Sequence, residues 1–138
     1  MKRLTISLVL CLAASAIFAS TAAAKMTFFQ TPSGNIGCLI YGKGARCDIK
    51  NHQWPTPPKP PNCDVDYGGG VAVGKRDRPA SYVCAGDTVF DPGARTLRYG
   101  HRVVRGRFRC ASKQTGVRCV NLRNKHGFKL SAQTVRLF

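Results

Sequence analysis

The sequence predicts an all-β protein, built as a small barrel or sandwich of short antiparallel strands with three local disulfides. Short runs of β-branched and aromatic residues alternate with turn signals, and no segment after residue 24 shows a convincing helical period. The 14 Gly and 8 Pro of the chain punctuate these runs. With 43% hydrophobic and 20% charged residues, the composition is that of a folded domain, and 138 residues are too few for two ordinary domains.

The first 24 residues are predicted to be a cleaved signal helix that precedes this fold. Lys2 and Arg3 form a charged start, residues 4–18 are apolar, and residues 22–24 are a small-residue cleavage site. A membrane anchor needs about 20 apolar residues, and this stretch becomes small and polar at Ser20. Cleavage is expected after Ala24, or alternatively after Ala22, which leaves residues 25–138 as one secreted or periplasmic domain.

The predicted strands follow one another through the remaining chain. A TPSG turn at residues 31–34 and a DPG turn at residues 91–93 are two of the signals that divide them. In chain order, the strands are expected at residues 27–30, 36–40, 45–49, 71–73, 81–85, 88–90, 96–99, 102–110, 117–122, 128–130 and 134–138. Their short length and number predict the small barrel or sandwich.

Six cysteines remain once Cys11 is removed with the leader. An exported chain meets an oxidising compartment, so an even number of cysteines predicts a disulfide framework, for which 15 connectivities are formally possible. No C-x2-C pair is present, which disfavours zinc, and we expect no metal site and no cofactor. The six are Cys38, Cys47, Cys63, Cys84, Cys110 and Cys119.

Two of the cysteine pairs share one local pattern, C-x5-G-x-R-C, repeated 72 residues apart. In a hairpin with a four-residue loop at 41–44 or 113–116, the two cysteines lie directly opposite each other, at a Cα separation that suits a disulfide. Gly44 and Gly116 take the last loop position, where a positive φ is often required. We therefore expect the pairs Cys38–Cys47 and Cys110–Cys119 and, by elimination, Cys63–Cys84, each contributing about 2 to 3 kcal/mol.

Two segments between the hairpins could be read in other ways. The proline-rich run WPTPPKPP at residues 54–61 could be a linker or a polyproline ligand, but we expect an ordered loop pinned by Cys63. The run from Asp64 to Gly69 begins like a calcium loop, yet Lys75 stands where a bidentate Glu is needed. Its aspartates are expected to cap backbone amides or pair with Arg, and Asp87 to form an Asx-type turn.

The motifs FFQTPSGNIGC, RCDI, CDVDYG, CAGDT, LRYG, FRCASKQTGVRC and KHGFKLS, together with Trp54, resemble a family of small exported bacterial proteins that is a domain of unknown function. The resemblance covers residues 28–138, although Tyr67 stands where we expect Trp. It implies an exported, disulfide-stapled single domain. It supplies no established activity and no catalytic residues.

Charge is the most informative feature for function, because it is polarised along the chain. The 22 Lys and Arg outnumber 6 Asp, and there is no Glu. Residues 25–94 carry 8 basic and 6 acidic groups, whereas residues 95–138 carry 12 basic groups and no acid. Such an excess of positive charge predicts anionic surroundings.

Three arginines in the basic half alternate with apolar or small residues. If residues 102–110 form one strand, Arg105, Arg107 and Arg109 lie on one face about 7 Å apart and can meet successive phosphates or carboxylates. The alternative is a solvated face that only keeps the protein soluble. Further candidates for this polyanion-binding patch are Arg98, Arg102, Arg118 and Arg123.

These features predict a non-enzymatic binding module for anionic envelope material, meaning envelope phosphates, lipid head groups or acidic polysaccharide, or for an acidic partner protein. Nucleic acid is disfavoured, because no recognised motif for it is present. The alternative function is inhibition of an extracellular hydrolase. A small basic phosphodiesterase or ribonuclease is less favoured: His52, His101 or His126 with Lys125 could serve it, but the absence of Glu excludes a Glu-plus-His scheme.

Overall fold

Eleven strands in two sheets make up the structure, a computed structural model that describes residues 25–138. The predicted signal segment at residues 1–24, with Cys11 and the cleavage sites, lies outside the described residues. No helix occurs within residues 25–138, so the predicted all-β class is confirmed. The strands are β1 (Thr27–Gln30), β2 (Ile36–Tyr41), β3 (Gly44–Ile49), β4 (Tyr67–Gly74), β5 (Ser81–Cys84), β6 (Arg95–Thr96), β7 (Arg102–Arg105), β8 (Phe108–Lys113), β9 (Gly116–Asn121), β10 (Gly127–Leu130) and β11 (Val135–Leu137).

The two sheets are stacked face to face, so the fold is the sandwich of the two predicted alternatives. The first sheet has the strand order β5-β4-β3-β2-β1-β6, and the second has the order β11-β10-β9-β8-β7. All neighbouring strands are antiparallel except β1 and β6, which are parallel. Alternate side chains of each sheet point into a shared hydrophobic core, in which Phe29, Phe108 and Phe128 are among the largest fully buried residues.

Three disulfides connect the expected partners. Cys38 and Cys47 face each other across the β2–β3 hairpin, as Cys110 and Cys119 do across β8–β9, with a Cα separation of 4.1 Å in both pairs. The third bridge joins Cys63 to Cys84 at a Cα separation of 5.9 Å. The Sγ atoms of Cys47 and Cys119 are only 3.7 Å apart. The two copies of the repeated motif therefore meet in the middle of the core.

The hairpin loops are shorter than predicted, although the cysteine register is as expected. Tyr41 pairs with Gly44 and Lys113 with Gly116, so each turn has two central residues rather than four. Gly116 has a φ of +114°, as its position suggested. Gly44 has no positive φ; it is needed because a Cβ there would lie 2.7 Å from the carbonyl oxygen of Val73 on the neighbouring strand.

Residues 102–110 are not one strand, and this overturns the predicted arginine ladder. β7 ends at Arg105, Gly106 and Arg107 make the turn, and β8 begins at Phe108, which pairs with Arg105. Gly106 supplies the positive φ of +54° that a two-residue hairpin turn requires. The turn reverses the chain, so Arg105 and Arg109 belong to opposite strands of a hairpin.

Of two other predicted strands, one is absent from the structure and one is shorter than expected. Residues 88–90 form no strand, because the backbone N–H of Val89 donates to the Asp48 carboxylate at 3.0 Å instead of to a neighbouring strand. Residues 96–99 shrink to the short β6. Conversely, the predicted strand at 71–73 extends to the whole of β4, whose pairing with β5 shifts register between Tyr67 and Val71.

The proline-rich run is an ordered loop, as expected. Trp54 at its start is 9% exposed and belongs to the core, and its indole N–H donates to the carbonyl oxygen of Ser131 at 2.9 Å. The His52 ring stacks on the indole with a centroid distance of 3.6 Å. Trp54 thus fastens the loop to the second sheet, and the Cys63–Cys84 bridge holds its far end.

We predict that the Cys110–Cys119 bridge stabilises the fold more than the Cys63–Cys84 bridge. Loop-closure entropy alone gives the reverse order, because the sequence separation is 9 residues for Cys110–Cys119 and 21 residues for Cys63–Cys84. The corresponding contributions to stability are about 2.6 and about 3.3 kcal/mol. Removing the fully buried sulfurs of Cys110 and Cys119 adds a cavity term of about 1 to 2 kcal/mol, whereas in the other pair only Cys63 is buried and Cys84 is exposed.

Urea unfolding of Cys110→Ala/Cys119→Ala and of the matched Cys63→Ala/Cys84→Ala variant measures the two losses. The first is expected at about 4 kcal/mol and the second at about 3 kcal/mol. A larger loss for the Cys63–Cys84 pair would contradict the predicted order and show that burial of the Cys110 and Cys119 sulfurs does not outweigh loop length.

Candidate polyanion-binding face

A row of cations crosses the outer face of the second sheet at right angles to its strands. The pairing register places Arg102 opposite Ala111, Ala111 opposite Arg118, Arg118 opposite Lys129, and Lys129 opposite Arg136. Neighbouring strands lie about 4.8 Å apart. Four of the five strands therefore present a positive side chain along one line, and only Ala111 interrupts it.

Period-two alternation explains why these side chains point outward. Val103, Cys110, Cys119 and Phe128, which directly adjoin them along the strands, are all buried in the core. Arg109 and Lys113 of β8 lie two residues before and two residues after Ala111, so they point to the same side of the sheet. The complete set, which we call the basic face, is Arg102, Arg109, Lys113, Arg118, Lys129 and Arg136.

The small Ala111 side chain leaves a shallow groove between the cations. Its volume is about 370 Å³, and its lining includes Arg102, Arg109, Lys113, Arg118 and Lys129. No acid occurs anywhere in residues 95–138. Among the described residues, no member of the basic face forms a salt bridge. The positive charges on this surface are therefore available to an external anion.

One arginine of the basic face has a fixed support. The guanidinium of Arg118 lies 4.9 Å above the centre of the Phe138 ring. A cation–π contact of this kind keeps the charge in place while leaving its N–H groups free to donate. Phe138 itself lies at the sheet edge, where its backbone exchanges two hydrogen bonds with Gly127.

The structure brings together only part of the predicted patch. Arg102, Arg109 and Arg118 lie on the basic face. Arg105 does not, since its Nε donates to the Thr27 hydroxyl of the other sheet at 2.9 Å, and Arg107 sits in the β7–β8 turn. Arg98 and Arg123 lie on the turns before β7 and after β9 and do not line the groove.

Sequence reasoning missed three members of the basic face, namely Lys113, Lys129 and Arg136. Lys113 could have been predicted from the sequence, because the pairing of Cys110 with Cys119 fixes which face of the sheet each residue of the β8–β9 hairpin occupies. Lys129 and Arg136 depend on how β10 and β11 pair with β9, which the local motif does not specify.

On the first sheet, by contrast, the guanidinium of Arg46 donates hydrogen bonds to two acidic side chains. Asp48, which is buried, receives hydrogen bonds from Arg46 Nε and Nη2 at 2.9 Å, and further ones from the Thr88 hydroxyl and Val89 N–H. Arg46 also donates to Asp87 Oδ1 at 2.9 Å. Asp87 is thus an arginine partner rather than only a turn residue, and the cluster ties residues 87–89 to β3.

The titration behaviour of this cluster follows from its contacts. Burial lowers the pKa of Arg46, but its hydrogen bonds with Asp48 and Asp87 outweigh burial and raise the pKa above its ordinary value. The hydrogen bond and the charge of Arg46 lower the pKa of Asp87. Arg46 and Asp87 are therefore both charged at neutral pH.

The chain matches the sequence profile of a family of unknown function (DUF6636) over residues 5–138. It belongs to this family of unknown function. The expected membership in a family of unknown function is thereby confirmed, and DUF6636 membership carries no activity with it. No curated protein and no solved structure matches the chain.

Two of the three histidines of this DUF6636 protein have side-chain contacts, and the third is held through its backbone. His126 Nε2 lies 3.1 Å from Asp77 Oδ1, His52 stacks on Trp54, and the backbone N–H of His101 donates within a turn. Within residues 25–138, no cluster of three or more His, Cys or Asp could hold a metal ion. The same residues contain no helix long and apolar enough to cross a membrane.

We predict that Arg46→Met destabilises the protein by about 3 kcal/mol, because it leaves the buried Asp48 carboxylate without its charged partner. Lys43→Met, at an exposed turn position, is the matched control and should change the free energy of unfolding by less than about 0.5 kcal/mol. Urea unfolding at pH 7 measures both.

The pH dependence gives a second readout of the same substitution. Because Asp87 has a lowered pKa in the folded state, its contribution to stability is present above its unfolded pKa and is lost as pH falls through the folded pKa. In Arg46→Met, the carboxyl ¹³C titration of Asp87 should move up towards the ordinary value. An unchanged titration would show that Arg46 does not govern this group.

Proposed function

We propose that this protein is exported and binds anionic polymers of the cell envelope through its basic face, without catalysing a reaction. The observation that supports this most is the cross-strand row of Arg102, Arg118, Lys129 and Arg136, which has no acid among its neighbours on the sheet. Unpaired cations in one line repel one another, and an anionic chain laid across them relieves that repulsion.

The shape of the basic face suits a polymer better than a compact ligand. The cations lie on an open sheet surface at strand spacing, so repeated anionic groups of one chain can meet them in succession. Arginine can form two parallel hydrogen bonds with a phosphate or carboxylate, which favours such contacts over simple charge attraction. Envelope phosphates, anionic lipid head groups and acidic polysaccharides all present this chemistry, as does an acidic partner protein.

A rigid support favours binding at this surface. The Cys110–Cys119 bridge crosses the hairpin that carries Arg109, Lys113 and Arg118, so little backbone freedom is lost when a ligand binds. None of the three histidines lines the groove of the basic face. This separation of the titratable groups from the cationic surface supports a binding role rather than acid–base chemistry.

Binding of poly(glycerol phosphate) should weaken as salt rises, because each neutralised phosphate releases counterions. For an extended single-stranded polyanion, each contact contributes about −0.7 to the slope of log K against log salt. Replacing Arg102, Arg118 and Lys129 with Gln should therefore flatten the slope by about 2. Fluorescence anisotropy at several salt concentrations measures it.

The matched control replaces two arginines and one lysine elsewhere. Lys59, Arg76 and Arg78 are exposed and do not line the basic face. Their Gln variants lower the net charge by the same amount but should leave the slope almost unchanged. Equal flattening in both triple variants would assign the effect to net charge alone, and the proposed face would be rejected.

The amino-terminal residue of the mature protein tests whether the chain is exported and its leader is cleaved. The three disulfides fit an oxidising compartment, and the predicted leader supplies the route to it. When the full-length precursor is expressed in a bacterium, N-terminal sequencing of the secreted or periplasmic protein should begin at Lys25. Recovery of the intact precursor from the cytoplasm would contradict the proposal.

A further inference from the structure

A second cationic site lies at one end of the sandwich, in a cavity of about 460 Å³. Its walls carry Lys25, Lys75, Arg105 and Arg107, together with Tyr41. The cavity shares no lining residue with the groove of the basic face. It is thus a separate feature, and its volume falls within the range of small-molecule sites.

Four distant segments of the chain converge on this cavity. Lys25 precedes β1, Tyr41 ends β2, Lys75 follows β4, and Arg105 and Arg107 flank Gly106 in the β7–β8 turn. Residues up to 82 positions apart therefore supply charges of the same sign to one concave site. Like charges that line one cavity repel one another, and an anion bound between them relieves that repulsion.

The arginine at the centre of this arrangement is held in place by the fold. Arg105 Nε donates to the Thr27 hydroxyl and Nη1 donates to the carbonyl oxygen of Val104, both at 2.9 Å. A guanidinium has five N–H groups, so three remain free. The fold therefore holds Arg105 in one orientation, and three of its N–H donors are available to a ligand.

The acids nearest to the cavity make contacts other than salt bridges with its four cations. Asp77, close in sequence to Lys75, is paired with His126 at 3.1 Å. Asp91 lines an adjoining groove with Lys25 and Arg105, and its carboxylate accepts a hydrogen bond from Gly93 N–H at 2.7 Å. Within residues 25–138, none of the four cations forms a salt bridge.

We propose that this cavity binds the phosphate group of a small organic phosphomonoester. A phosphomonoester carries nearly two negative charges and three strong acceptor oxygens, which match the four cations that line the cavity better than a single carboxylate does. The half-buried Tyr41 ring offers a wall for the organic part of the ligand. The proposal stands whether or not the basic face binds a polymer.

Glucose 6-phosphate is the probe, titrated by calorimetry and by backbone amide NMR into the protein exported from its full precursor. Saturable shifts should be confined to Met26, which follows Lys25, and to residues 41–43, 74–76 and 104–108. The variant Lys75→Gln/Arg107→Gln should bind about tenfold to a hundredfold more weakly. Neither side chain forms a hydrogen bond or a salt bridge within residues 25–138, so the variant should unfold close to the parent's urea midpoint.

The control variant Arg102→Gln/Arg118→Gln removes two cations from the basic face and should leave glucose 6-phosphate affinity unchanged. Conversely, Lys75→Gln/Arg107→Gln should leave the salt slope for poly(glycerol phosphate) nearly unchanged. Loss of binding at the cavity can therefore be distinguished from loss of binding at the basic face. Three results would overturn the proposal: equal weakening by both variants, inorganic phosphate binding as tightly as the ester, or binding only of phosphatidic acid vesicles.

Discussion

The structure depends on the contact between its two hairpin disulfides. Cys38–Cys47 and Cys110–Cys119 are fully buried, and Cys47 and Cys119 touch across the core with 3.7 Å between their sulfurs. Each bridge fixes the register of its own hairpin, and the contact fixes which surface of each sheet faces inward. Because side chains alternate along a strand, this also decides which residues face solvent. The position of Arg109 and Arg118 on the outer surface follows from where the cysteines point.

The two sheets use their charges in opposite ways. On the first sheet, Arg46 is enclosed by Asp48 and Asp87 and serves the fold. On the second sheet, the cations have no acid near them in sequence or across the strands. Their mutual repulsion works against folding, and covalent bridges beneath them offset it. A scaffold that tolerates unpaired charge in this manner is suited to present it to a ligand.

A single turn divides the arginine-rich segment between two surfaces. Gly106, with its positive φ, reverses the chain between Arg105 and Arg109. Arg105 turns towards Thr27 and the end cavity, whereas Arg109 lies on the open sheet. The open face offers charges in a line, which fits a chain of anions, and the cavity offers them around a point, which fits one compact anion. One basic segment can thus contribute to two kinds of anion recognition.

The sequence alone determined the all-β class, the disulfide pairs and the register of both cysteine hairpins, because the spacing within C-x5-G-x-R-C is short and the geometry of a hairpin is local. It could not place the turn at Gly106: a continuous strand would bury Val104, but the hairpin buries Val103 at 4% exposure and leaves Val104 at 41%. Both patterns satisfy apolar alternation, and only packing against the first sheet selects one. Lys129, Arg136 and the end cavity were likewise decided by the tertiary structure, since pairing between distant segments sets which side chains become neighbours.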